Sequence, residues 1–260
     1  MKLSEACDAY LADVERGGAR PRTVTAYRAR LRVARELLGD RDVADLVAAD
    51  VETVLDQVPP RSQSAVLKAI RGVLRALGPT AADAVRPARV DEAERKVLSG
   101  EQLKLLRQVL ETRSGLASGV LLVLIASGAR AGEVLAAADE LVDGALLLRA
   151  DGAKGRRGRR VDLPSWAWPA ARRVLATVPA ERPSERTIRR ELTRALKATG
   201  LPQVRVHDLR RSRITELLLG GAPLALVLEL AGHRSPAYLM RVYAHAAPSA
   251  EQRRGWVERG

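Results

Sequence analysis

Four short segments of this chain carry side chains able to act on a phosphate. S-G-A-R-A-G-E holds Arg130 and Glu133. G-A-K-G-R-R-G-R-R-V-D-L-P holds Lys154. H-D-L-R holds His207 and Arg210, and G-H-R-S-P-A-Y-L-M-R-V-Y-A-H holds His233 and Tyr243. The chain has three histidines and four tyrosines, and residues 233–245 contain two of each. An arginine fork pairs bidentately with phosphate oxygens, a lysine or histidine can move a proton, and a tyrosine hydroxyl can attack as a nucleophile. Each residue also has a plain structural alternative. Arg130 can be a helix-end cation or a buried guanidinium with a dedicated partner, and Lys154 a solvated charge in a basic turn. His207 and Arg210, at i and i+3, share a helix face as a local polar contact would. His233 can cap a helix, and Tyr243 can pack as an amphipathic core residue. Cys7 is the single cysteine, which excludes an internal disulfide framework or a cysteine metal cluster. The histidines lack metal-site spacing. The chemistry must therefore come from Arg, Lys, His, Tyr, Ser or carboxylates, and neither a metal nor a cofactor is expected.

The elements that must position these residues are mostly helical. About half of the 260 residues are apolar, yet aromatics are scarce and Phe is absent. The core must be Leu, Val, Ala and Ile, a mix that favours helix. A formal charge of +13, from 44 Lys and Arg against 31 Asp and Glu, calls for a polyanion. Nucleic acid is the first candidate and an anionic membrane surface the second. The opening M-K-L-S-E-A-C-D-A-Y is no signal peptide, and the run L-A-S-G-V-L-L-V-L-I-A-S-G-A is too short to span a bilayer.

Residues 1–80 read as four helices. Leu3, Ala6, Tyr10 and Val14 mark the first. Val24, Tyr27, Leu31, Ala34 and Leu38 mark the second, opened by Pro21 and closed near Gly39. A short third helix covers 50–58, and a fourth carries Val66, Ile70, Val73 and Leu77. The fourth shows a basic stripe, Lys68, Arg71 and Arg75, that is either a solvated face or a contact for a DNA backbone. Periodicity fades over 81–97, which reads as a linker. The second domain, 98–260, opens with a capping box at Ser99 and Gln102. Helices are expected over 100–110 and 116–137, then strands 146–149 and 159–163 joined by a Gly-rich basic turn as a hairpin. Helices over 169–178, 184–198, 208–219 and 223–230 follow. The expected fold is mainly α with a small antiparallel β-sheet.

Together, and in this order, the four segments resemble the tyrosine recombinase (phage integrase) family, including its Xer-like site-specific recombinases. That family has an Arg followed three residues later by a Glu, a lysine on a β-hairpin, a His-x-x-Arg box, a Gly-His box and a nucleophilic Tyr often followed by x-His. Arg130 with Glu133, Lys154, His207 with Arg210, Gly232-His233 and Tyr243 with His245 match these positions. Tyr238 is too close to His233 to fit the family's spacing. The first half is similar to the family's four-helix core-binding domain, with P-R-T-V-x-x-Y at 21–27, and the second to its catalytic domain. Asp162, in V-D-L-P, departs from the hairpin pattern, which has Pro there.

The resemblance implies transesterification on duplex DNA through a 3′-phosphotyrosyl intermediate, with Tyr243 as nucleophile. It gives Arg130, Arg210 and His233 the nonbridging oxygens and Lys154 the leaving 5′ oxygen. It makes His207 a proton acceptor or phosphate-orienting group and Glu133 the holder of Arg130. The implied DNA contacts are Arg22, Arg28, Lys68, Arg71 and Arg75 in the first domain, and Arg156, Arg157, Arg189 and Arg190 in the second. The implied assembly is a homo-tetramer on two duplexes that carry a recombination site, with Trp256 in the tail as an anchor on a neighbour or on its own subunit. An accessory directionality factor is a further candidate partner. No membrane role is implied, and the expected location is cytoplasmic, at the nucleoid. No extra domain precedes the four helices, which by the same resemblance favours a simple, Xer-like or minimal phage-type or plasmid-type enzyme. A type IB topoisomerase and a non-catalytic sequence-specific DNA-binding protein are the alternatives.

Overall fold

The computed structural model describes residues 1–76, 81–88, 97–136, 141–148 and 158–232, with 236, 237, 239, 254 and 258. The chain divides into two compact units, Met1–Ala93 and Glu94–Gly260.

In the first unit four helices enclose one core: α1 (Leu3–Arg16), α2 (Pro21–Leu38), α3 (Ala48–Asp56) and α4 (Pro60–Arg75). Pro21 and Pro60 open their helices, where the missing N–H is an orphan in any case. The apolar stripes of the four helices meet as Leu3, Leu11, Leu31, Val54, Leu67, Ile70 and Val73. Tyr10 and Tyr27 pack edge to face, ring centroids 5.7 Å apart. The segment after α4 belongs to this core and is not free linker. Ala82 and Val85 are buried in it. Arg71 donates to the carbonyls of Ala82 (3.0 Å) and Val85 (2.7 Å). Gln63, buried in α4, donates to Leu55 O at 2.8 Å and accepts from Ala88 N at 2.7 Å. A lost periodicity meant a change of backbone there, not a loss of packing.

The second unit is built around α6 (Leu116–Ser127), every residue of which from Ser118 onward is buried. A helix apolar on all sides must be surrounded, and α5 (Gly100–Glu111), α8 (Trp168–Ala176), α9 (Glu185–Thr199) and α10 (Val206–Leu219) pack against it. Its Leu121, Leu122, Leu124 and Ile125 side chains each stabilise the unit by about 1.5–3 kcal/mol. Among the described residues no helix is long and apolar enough to cross a membrane. The expected helix over 116–137 is in fact two. Gly128 takes a left-handed conformation (φ +62°) and ends α6, and α7 (Ala131–Ala136) restarts the helix. The sheet is antiparallel and three-stranded, β1 (Leu141–Val142), β2 (Ala145–Leu148) and β3 (Arg159–Asp162), in that order. Leu146 faces Val161, and Leu148 faces Arg159. Strand β1 was not expected. It pairs with β2 across Asp143 and Gly144, both at positive φ, as a two-residue hairpin turn requires. Helix α11 (Leu224–Ala231) follows, with Val227 and Ala231 packed on Ile214 of α10 and on Leu239.

Candidate active site

The break between α6 and α7 is made by local hydrogen bonds. Ser127 Oγ turns back to Val123 O at 2.6 Å and accepts from Ala129 N at 3.1 Å. Gly128 N reaches Leu124 O at 3.0 Å. The chain then swings outward and Arg130 stands at the start of α7. Glu133, three residues on, reaches back to accept from Arg130 N at 2.8 Å, as a carboxylate in a first helical turn does. Its other oxygen accepts from Arg130 Nη1 at 2.8 Å. The same carboxylate therefore fixes both the backbone and the guanidinium of Arg130.

Glu133 is buried, and a second arginine makes that tolerable. Arg159 of β3 donates Nη1 to Oε1 (3.1 Å) and Nη2 to Oε2 (2.8 Å). Burial pushes the Glu133 carboxyl up, but the bonds from Arg159, then from the Arg130 backbone and side chain, outweigh it and hold the pKa at about 2. Two cations around one buried carboxylate leave the cluster net positive. Arg130 keeps 24 % of its side chain exposed, whereas Arg159 keeps 8 %. The outward edge of this cluster is thus Arg130.

Arg210, on α10, is 2 % exposed. Its Nη1 donates to Gly128 O at 2.7 Å, and its Nη2 donates to Ala231 O. The guanidinium lies between the C-terminal ends of α6 and α11, where unpaired carbonyls collect negative potential. This places Arg210 against the α6–α7 break that carries Arg130. Arg213, one turn further along α10, donates Nε to Ala126 O at 3.2 Å and Nη1 to Glu216 at 2.7 Å.

His207 stands in the first turn of α10 and is exposed. Partial loss of hydration, then the charges of Arg210 and Arg211, lower its pKa below 6.5. Asp208 works in the opposite sense, and Arg130 adds to the lowering. The ring is therefore biased toward its neutral form, able to accept a proton. Asp208 anchors the start of this helix by accepting from Arg205 N at 2.9 Å. Among the described residues no three His, Cys, Asp or Glu side chains gather as a metal site would need.

The structure thus gathers Arg130, Glu133, Arg210 and His207. Lys154, Arg156, Arg157, His233, Tyr238, Tyr243, His245 and Trp256 lie outside the described residues. The nearby Leu239 is buried against α10 and α11. Of the expected DNA contacts, Arg22, Arg28, Lys68, Arg75, Arg189 and Arg190 are exposed. Arg71 is occupied with the carbonyls of the 81–85 segment, and Arg75 Nη2 donates to Asp83 at 3.0 Å. Sequence reasoning missed Arg159. Its signal was there: it shares a strand face with Val161, and an arginine on a buried face needs a carboxylate.

Residues 96–250 match the phage integrase family. The tyrosine recombinase XerC of Corynebacterium glutamicum is 38 % identical over 74 residues, 28 % of this chain and 24 % of that protein. The chain thus spans about a quarter of that relative's length. Its fold is similar to that of a lambda integrase in a dimer bound to a COC′ core site (TM-score 0.77, 18 % identity, 96 % of this chain and 79 % of that one). It is also similar to the XerH site-specific recombinase bound to a palindromic difH substrate (TM-score 0.67, 16 % identity, 88 % and 77 %). The Tn1549 transposon integrase with transposon right-end DNA is another neighbour (TM-score 0.70, 13 % identity, 100 % and 99 %).

Proposed function

Since this chain belongs to the phage integrase family, we propose that it is a site-specific recombinase that breaks and rejoins duplex DNA through a 3′-phosphotyrosyl link. The observation that carries this reading is the joining of Arg130 and Arg210. Two arginines 80 residues apart are fixed on the same α6–α7 break, one by Glu133 and one by Gly128 O. Preorganised guanidinium groups stabilise charge gathering on a phosphate without moving during reaction.

In this mechanism the Tyr243 oxygen attacks phosphorus and the bond to the 5′ oxygen breaks. The tyrosine proton passes to His207, whose lowered pKa keeps it neutral near pH 7. Lys154 gives a proton to the departing 5′ oxygen, and His233 adds a donor to the nonbridging oxygens. The partner strand's 5′ hydroxyl then attacks the phosphotyrosine and restores Tyr243, so the bond energy is conserved without ATP. The four-helix unit (Met1–Ala93) and the catalytic unit (Glu94–Gly260) each supply contacts to the phosphate backbone, through Arg22, Arg28, Lys68 and Arg75 and through Arg156, Arg157, Arg189 and Arg190. Exchange takes place in a homo-tetramer on two duplexes, in the cytoplasm at the nucleoid, and an accessory directionality factor is a candidate partner.

The test is covalent capture. Protein is mixed with a nicked random-duplex library in EDTA and denatured, and the attached DNA is sequenced, with Tyr243→Phe and Tyr238→Phe alongside. Attachment lost in Tyr243→Phe alone supports the reading. Loss in Tyr238→Phe alone overturns the nucleophile assignment, and no attachment by wild type overturns the chemistry.

A further inference from the structure

Arg159 has a place in the structure that the mechanism above does not use. Its guanidinium makes three bonds in two directions. Nη1 and Nη2 clasp both oxygens of Glu133, at 3.1 and 2.8 Å. Nε, on the other edge of the same plane, donates to Leu230 O in the last turn of α11 at 3.1 Å. The turn beyond is pressed onto it. Gly232 has φ +59°, and a Cβ built there would stand 3.0 Å from Arg159 Cζ and Nη1. Gly232 is the residue before His233, and Glu133 is the residue that aims Arg130. The α11 end also receives Arg210, through the carbonyl of Ala231.

We propose that Arg159 is a positioning residue for DNA cleavage: its rigid fork ties the carboxylate that orients Arg130 to the turn that leads into His233. A planar guanidinium with donors on two edges can join a carboxylate and a carbonyl at fixed angle and spacing. A lysine supplies the same charge from a single point and cannot hold both. The role rests on the recombinase reading for its catalytic consequence, but the tie itself stands on geometry.

The experiment compares wild type, Arg159→Lys and Gly232→Ala in two arms. One arm measures the single-turnover rate of covalent attachment to the nicked duplex recovered from the capture library, alongside the affinity for that duplex. The other measures amide hydrogen exchange without DNA. Arg159→Lys is expected to bind the duplex within about twofold of wild type, yet attach at least tenfold more slowly, a loss of about 1.4 kcal/mol in barrier terms. Its amides in 128–134 and in 230–232 are both expected to exchange faster. Gly232→Ala crowds the guanidinium at Cζ and Nη1 and leaves the Glu133 side chain in place. Its positive φ adds strain of its own in 230–232, so the 128–134 amides are the ones that read the tie. This variant is expected to slow attachment and speed exchange in both segments. A lysine variant that attaches at the wild-type rate overturns the proposal. So does faster exchange confined to one segment in both variants. If wild type attaches no DNA, the recombinase reading falls, and the exchange arm alone decides whether Arg159 joins the two segments.

Discussion

Glu133 and Arg159 meet through both carboxylate oxygens and both terminal guanidinium nitrogens, although 26 residues separate them in sequence. The pair joins the first turn of α7 to β3. It lets a carboxylate stay ionised while buried, because fork-to-fork hydrogen bonding replaces the water it has lost. Arg130 gains a fixed anionic partner by the same arrangement.

Glu133→Gln should therefore weaken the fold in a pH-dependent way. The folded carboxyl sits at about 2 against an ordinary 4.5. The stabilisation is complete above pH 4.5 and disappears as pH falls through 2. The shift corresponds to about 3 kcal/mol at neutral pH. Urea unfolding of wild type and Glu133→Gln from pH 3 to 7 should show a gap that widens up to pH 4.5 and is flat above it. A gap independent of pH would mean that the carboxylate's charge is not what stabilises.

Gly144 and Gly128 should differ in how they bear a side chain. Both have positive φ, so alanine at either costs about 1–2 kcal/mol in backbone strain. At Gly128 the new Cβ meets Arg213 Cγ at 3.4 Å, an ordinary contact at its near limit. At Gly144 it would enter the Trp168 ring, 2.5 Å from Cζ2. That ring is held by its Nε1 bond to Leu163 O at 2.9 Å and cannot simply step aside. Gly144→Ala should lower the urea midpoint clearly more than Gly128→Ala. Equal losses would show that the hairpin turn shifts freely.

The helices were legible because their signals are local. Pro21, Ser99 and the 3.6-residue stripes lie within the segments they define, and the observed bounds of α1, α2 and α5 follow them. The α6–α7 break was less legible. Gly128 inside an apolar run reads as a tolerated helix residue until its φ is known. Strand β1 was missed although Asp143-Gly144 is a strong turn dipeptide, because the apolar run before it is only two residues long. In the site, residue types put Arg130, Glu133, His207 and Arg210 among the candidates, and the family resemblance of the ordered segments singled them out. Arg159 was not, since in sequence it is one cation in the row R-R-G-R-R. Only the register of β3 separates it from Arg160, which faces outward to Asp162.

His207 should titrate below its ordinary 6.5. A histidine whose folded pKa lies below the unfolded value binds its proton more weakly when folded. Stability is then highest above pH 6.5 and declines as pH falls below it. Proton NMR of the ring resonances, assigned with His207→Gln, should show the low midpoint. Arg211→Gln removes one of the charges responsible and should move the midpoint upward. A midpoint at or above 6.5 in wild type would show that the neighbouring arginines and the loss of hydration do not lower it.

The basic stripe on α4 should split into two kinds of arginine and lysine. Lys68 is exposed, as are Arg189 and Arg190 on α9. Arg71 instead donates to the carbonyls of Ala82 and Val85, both buried residues, and these lose their partner when it is removed. Arg71→Ala should cost about 1–3 kcal/mol of stability, read as a lower denaturation midpoint. Lys68→Ala, Arg189→Ala and Arg190→Ala should leave that midpoint unchanged. Each that contacts a phosphate should reduce the slope of log affinity against log salt by about 0.9. Duplex binding between 50 and 200 mM salt, roughly the range in which counterion release dominates, separates the two classes. An Arg71→Ala protein of wild-type stability with a shallower salt slope would return Arg71 to the DNA-facing set, and an unchanged slope in Arg189→Ala and Arg190→Ala would take α9 off the DNA.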